Sequence, residues 1–151
     1  MAFDPLDCDE IKAFNKEAQR LDLSAGNLSY TAYKAQLEEL LYASESTMKD
    51  QLVLVLYCRR IVSEHLLLCA IDKEESDAVV SSRFEQIRNL GFRDSRSWGS
   101  LMLIYCRYLL GKGRKGEART LLRQFMGELD SLGEALDECS QAAGDLLKQC
   151  G

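Results

Sequence analysis

Proline is nearly missing from this chain: Pro5 is the only one in 151 residues, beside ten glycines. β-Sandwiches and barrels consume both residues in their many turns, so that architecture is excluded. No segment alternates apolar and polar residues at period two, which removes the half-buried strand as a building block. Histidine also occurs once, at His65, so the commonest general base has a single place to act. No Gly-x-Ser-x-Gly elbow, His-Glu-x-x-His pair or Cys-x-x-Cys spacing accompanies it, and neither a catalytic set nor a cofactor motif is legible. The reading is of a protein that is not an enzyme and carries no cofactor.

An uninterrupted membrane-length apolar run is missing too. The longest candidate, 52–71, contains Arg59, Arg60, Glu64 and His65, and a charge near the bilayer centre costs about 2.5–3.5 kcal/mol. That stretch reads as a buried helix, with no membrane partner. Met1-Ala2-Phe3-Asp4 leads straight into acids without the apolar core of a secretory leader. The expected location is cytoplasmic, with Cys8, Cys58, Cys69, Cys106, Cys139 and Cys150 as free thiols. Cys8 and Cys150, near the chain ends, are expected to be reachable, and Cys58, Cys69 and Cys106 to be buried.

Hydrophobic residues make up 46% of the chain and charged residues 28%, ordinary usage for a folded protein. The length suits one domain over 1–151. Apolar residues recur at helical spacing from end to end and predict seven helices over 7–21, 29–43, 48–71, 74–90, 95–110, 116–130 and 132–149. Caps are expected at Asp7 or Asp9, at Thr47 with Asp50, at Asp72 with Glu75 and at Ser131 with Glu134. Gly91-Phe92 fits a glycine stop. The third and fifth helices are apolar on most sides, and the polar positions of the third (Gln51, Arg59, Arg60, Ser63, Glu64) form a partial solvent face. The fold class is all-α, a compact helical bundle or a short stack of antiparallel hairpins.

Charge is distributed unevenly. The total is −5, yet residues 92–126 hold eight bases against two acids, while 1–91 hold sixteen acids against ten bases. Arg107, Lys112, Arg114, Lys115, Arg119 and Arg123, with Tyr108, form a basic island and the candidate partner-binding set. Gly111-Lys-Gly-Arg-Lys-Gly116 lacks the preceding strand and the Lys-Ser/Thr of a phosphate loop, so it reads as a turn. No aromatic clearly interleaves the basic run, which disfavours nucleic acid as a partner. His65 and Cys69, one turn apart, are the weak metal-ligand candidates. They share their stripe with Leu54, Ile61, Val62 and Leu68, and core packing explains them better.

Val53-Leu-Val-Leu-Tyr57-Cys58-Arg59 aligns with Leu101-Met-Leu-Ile-Tyr105-Cys106-Arg107 at an offset of 48 residues. In residues 102–127 a small residue, Cys106, precedes Gly113, with Ala118 opening a second helix and Leu122 following. This pattern resembles one tetratricopeptide-type helix–turn–helix repeat. Phe125, where a small residue is usual, and the lack of a closing proline depart from it. The resemblance implies a hairpin stack and transfers no functional residues.

The function expected is a non-enzymatic protein-interaction module, an adaptor, chaperone or assembly subunit that binds a protein partner through a groove or a charged face. The partner is acidic if it meets the basic island and basic if it meets the acidic face; self-association is left open. Tyr30, Tyr33, Tyr42 and Tyr108 are further candidate contacts, although the stripe of the second helix turns Tyr30 and Tyr33 inward with Leu37, Leu40 and Leu41. The alternatives are an immunity or antitoxin protein that neutralises a basic toxin, and a helical-bundle enzyme or ligand-binding protein. Far-ultraviolet circular dichroism should show a helix-dominated spectrum with negligible sheet; a strand-dominated spectrum would overturn the whole reading.

Overall fold

A computed structural model describes residues 8–48, 51–90, 96–132 and 137–150, with the side chains of 96–98 and 129–140 outside that description. Seven helices run through them: α1 Asp9–Ser24, α2 Tyr30–Thr47, α3 Leu52–Asp72, α4 Asp77–Leu90, α5 Arg96–Gly111, α6 Lys115–Leu132 and α7 Asp137–Gln149. No strand occurs among the described residues. The helices group into two compact units, Met1–Gly91 and Phe92–Gly151.

The first unit is built round α3, which packs against α1, α2 and α4, while α1 also meets α2. The sequence dictates this centrality. Leu54, Val55, Cys58, Ile61, Val62, Leu66, Leu67 and Ala70 are all buried, and together they occupy most of the helix circumference, so one neighbour cannot cover them. The surrounding helices each supply a narrow stripe: Ile11, Phe14 and Ala18 from α1, Tyr30, Tyr33 and Leu37 from α2, and Val80, Phe84 and Ile87 from α4. Each fully covered large apolar side chain contributes about 1.5–3 kcal/mol.

Two members of the expected polar face of α3 lie inside. Arg60 is 1% exposed and Ser63 is 7% exposed. Arg60 Nε stands 3.1 Å from Glu64 Oε1, one turn further on. Covering α3 on three sides leaves its arc of polar residues too narrow to keep every member in water, and a buried guanidinium is tolerable only beside a countercharge.

Helix ends differ from the sequence reading in instructive ways. Cys8 takes the N-cap of α1, with Asp9 and Glu10 in the first turn. Thr47 is the last residue of α2, its hydroxyl donating back to the Ser44 carbonyl at 2.9 Å, so it does not start α3. Asp72 likewise ends α3, and Ser76 caps α4 through Val79 N–H. The reason is common to both: a capping-box spacing also occurs in the last turn of a long helix, where propagation outcompetes a new cap. Ser131 falls within α6. Asp7, Asp50, Gly91-Phe92 and Glu134 lie outside the described residues.

In the second unit α5, α6 and α7 all pack on one another. Leu101, Met102, Tyr105, Cys106 and Leu109 of α5 are buried, as are Ala118, Leu122 and Phe125 of α6 and Ala143 and Leu146 of α7. The two segments aligned by sequence share a burial pattern: Tyr57 and Tyr105 are buried, Cys58 and Cys106 fully so, and Arg59 and Arg107 exposed.

α3 and α5 end in the same motif. Glu75 N–H donates to Ala70 O at 2.9 Å and Glu74 N–H to Ile71 O at 3.2 Å; Arg114 N–H donates to Leu109 O at 2.9 Å and Gly113 N–H to Leu110 O at 3.1 Å. Both are Schellman ends, which require a left-handed residue. Gly113 supplies it with φ 76°, but Glu74 occupies it with φ 55°. An L side chain in that region costs about 1–2 kcal/mol. Glu74→Gly should therefore stabilise the protein, by up to about 1 kcal/mol after the added freedom of the unfolded chain is subtracted. Gly113→Ala should destabilise it by about 1 kcal/mol, through the backbone alone, since nothing lies within 4 Å of the added methyl. Urea denaturation of the two variants checks both signs.

Candidate functional site

Two features stand out, a groove in the first unit and the basic face of the second. α2 and α4 both pack on α3, and between them lies an open groove of about 370 Å³. Its residues fall at helical spacing on three helices: Glu38 and Leu41 on α2, Arg59, Val62, Ser63 and Leu66 on α3, and Arg83, Gln86, Asn89 and Leu90 on α4. Leu41, Val62, Leu66 and Leu90 make it apolar, and the remainder form a polar margin.

The charges in the groove are mostly answered from within the unit. Glu38 stands 3.3 Å from Lys34, and Arg59 Nε is 2.7 Å from Glu45. Arg83 differs. Its Nε donates to the Tyr30 hydroxyl at 2.8 Å and its Nη1 to Gln86 Oε1 at 2.7 Å. Both acceptors are neutral, and among the described residues no carboxylate is recorded in an ion pair with it.

The basic island is less uniform than its sequence suggests. Arg107, Lys115 and Arg123 are exposed on α5 and α6. Arg114 pairs with Glu117. Arg119 reaches α7, its Nη2 donating to the Cys150 carbonyl at 2.5 Å, where a cation also opposes the negative end of the helix dipole. Tyr108 stacks on Tyr105 with centroids 6.0 Å apart, and Lys112 Nζ lies 5.7 Å from the Tyr108 centroid. Half of the island thus has structural employment. Of the candidate tyrosines, Tyr30 and Tyr33 are buried on the α2 stripe with Leu37, so only their inward reading holds, and Tyr42 is 78% exposed.

The His65 and Cys69 pair sits beside the end of α1. Tyr33 Oη donates to Asp22 Oδ1 at 2.9 Å, and His65 Nδ1 is 4.0 Å from the same oxygen. Both His65 and Cys69 are half-buried, less enclosed than the core reading expected. Among the described residues no three His, Cys, Asp or Glu side chains are placed to hold a metal ion. Burial pushes the Cys58 and Cys106 thiols up to about 12, which leaves them protonated and inert. Cys150 is 2% exposed and Cys69 only half-buried, reversing their expected order of access, because Cys150 closes the core side of α7. The Cys139 side chain lies outside the described residues.

The groove was not found by sequence reasoning. Its signal was present as i, i+3, i+4, i+7 spacing over Arg59, Val62, Ser63 and Leu66, but mixed polarity hid it among core and solvent positions. Among the described residues no helix is long and apolar enough to cross a membrane. No family model matches the chain, and neither does any curated protein or solved structure.

His65 gives a pH prediction. Burial holds its pKa below 6.5, partly offset by the Asp22 carboxylate. The unfolded chain therefore takes up the proton first, and stability should fall as pH drops from 6.5 through the lowered native value. Above that window both states are neutral there and His65 contributes no slope. Thermal melts of His65→Gln against wild type should show a shallower loss in the variant as the pH falls below 6.5; parallel curves would contradict this.

Proposed function

We infer that the protein is a non-enzymatic interaction module whose partner-binding surface is the α2–α3–α4 groove. The observation that carries this reading is the groove itself: an open apolar trough with a polar margin on a helical unit. Its volume falls in the range of about 300–1,000 Å³ typical of binding clefts. The described thiols and the one imidazole lie outside the groove lining. A cytoplasmic adaptor, chaperone or assembly subunit is the class of protein that uses such a surface.

The exposed bases Arg107, Lys115 and Arg123 favour a second reading, an acidic partner held at the basic face, with steering that salt would screen.

The two readings separate on variants. Val62→Glu places a charge on the groove floor; the triple reversal of Arg107, Lys115 and Arg123 to Glu inverts the basic face. Quantitative co-purification from native lysate should lose a specific partner with the first variant and keep it with the second. The opposite result moves the site to the basic face, and unchanged recovery with both removes both surfaces from the interface. Circular dichroism of each variant confirms folding.

A further inference from the structure

The charge pattern in the groove says what kind of chain segment fits it. We propose that the groove receives an amphipathic helix of a protein partner, seated by two large apolar side chains and oriented by a carboxylate on Arg83. This rests on the interaction-module reading and specifies its occupant.

Shape argues for a helix. Val62, Ser63 and Leu66 of α3 form the nearly covered floor of the groove, and residues of α2 and α4 form its walls. A trough walled by two helices is what an amphipathic helix lies along, its apolar side chains reaching down between the walls. Such docking is read out by anchors at i, i+3 or i+4. Size agrees: an apolar cavity of about 150 Å³ takes one benzene ring, so 370 Å³ accepts two anchors of that bulk and not a whole chain segment.

Electrostatics argue for an acid. Of the charged lining residues, Glu38 and Arg59 are already paired with Lys34 and Glu45. Arg83 is held in place by Tyr30 and Gln86 without being neutralised. A guanidinium has five N–H donors in a rigid fork, and those two bonds engage two of them. The others remain for a carboxylate, and the charge-assisted bonds they form are about twice as strong as neutral ones. Because Tyr30 and Gln86 already fix the side chain, little rotamer freedom is lost on binding. The unit as a whole is acidic, with sixteen acids against ten bases in residues 1–91, so a carboxylate placed away from a cation meets net repulsion. That repulsion supplies orientation as well as selectivity.

The test uses the full chain and fluorescein-labelled helical peptides of about 16 residues, long enough to hold some helix alone. Each peptide carries Leu or Phe anchors at i and i+4 and, one turn on, Glu, Gln or Lys. Fluorescence anisotropy should show the Glu series binding about tenfold more tightly than the Gln series, with the Lys series weaker still. Arg83→Gln should abolish that preference, and Arg83→Glu should shift it to the Lys series, a rescue that a misfolded variant cannot give. Binding that ignores the charged position overturns the carboxylate on Arg83 while leaving the groove as a docking surface. Failure of every peptide overturns the proposal together with the groove reading. Lauric acid is the small-molecule control; binding of lauric acid that depends on Arg83, with no peptide bound, would assign the groove to a free amphipathic acid and overturn the proposal.

Discussion

A helix that is apolar on nearly every side cannot be satisfied by one partner, and α3 is such a helix. Covering it requires α1, α2 and α4 at once. The stripes of those three helices, their order round α3 and the gap left between α2 and α4 all answer that demand. The same requirement explains why Arg60 is inside. With α3 covered by three neighbours, a polar residue on a covered face must find an internal partner, and for Arg60 Glu64 is one turn away.

The groove then lies over α3 where α2 and α4 stand apart, with a floor of side chains that are themselves nearly covered. Its two flanking helices touch α3 rather than each other for most of their length, and a side-chain pair bridges α2 to a neighbour on either side of it: Tyr30 with Arg83 of α4, and Glu45 with Arg59 of α3. One pair is ionic and self-contained. The other joins a cation to a phenol, so it fixes geometry without cancelling charge. A groove of this kind needs no separate device; it is a by-product of enclosing a wide apolar helix with narrow stripes.

How much of this could be read from the sequence depends on the kind of signal. Helix number and approximate place follow from period alone, and the all-α class with seven helices is what the described residues show. Helix ends were less legible: Thr47 and Asp72 look like caps because Ser, Thr and Asp serve equally well in a last turn. Burial was legible for residues in helical stripes, such as Phe14 of α1 or Tyr30 and Tyr33 of α2. It was not for Arg60, whose charge suggested the surface although its neighbours required cover. The groove depends on three helices meeting, a long-range relation to which no single window of sequence refers. The basic island was legible as composition, but the capture of Arg119 by the end of α7 needs residues thirty positions apart.

The segments around Tyr57-Cys58-Arg59 and Tyr105-Cys106-Arg107 have the same inside and outside pattern, yet their helices continue differently. α3 runs on to Asp72, whereas α5 stops at Gly111. Val62, Ser63 and Leu66, the floor of the groove, all lie in the stretch of α3 beyond the shared tripeptide. For sequence drift, this divides the chain into two regimes. Where the tripeptide stands, a cysteine-sized volume is required twice over, and both sites tolerate the same few small residues. Past it, the second unit needs only a turn, while in the first Val62, Ser63 and Leu66 are both covered core and groove floor, so a substitution there alters packing and the shape of the groove together.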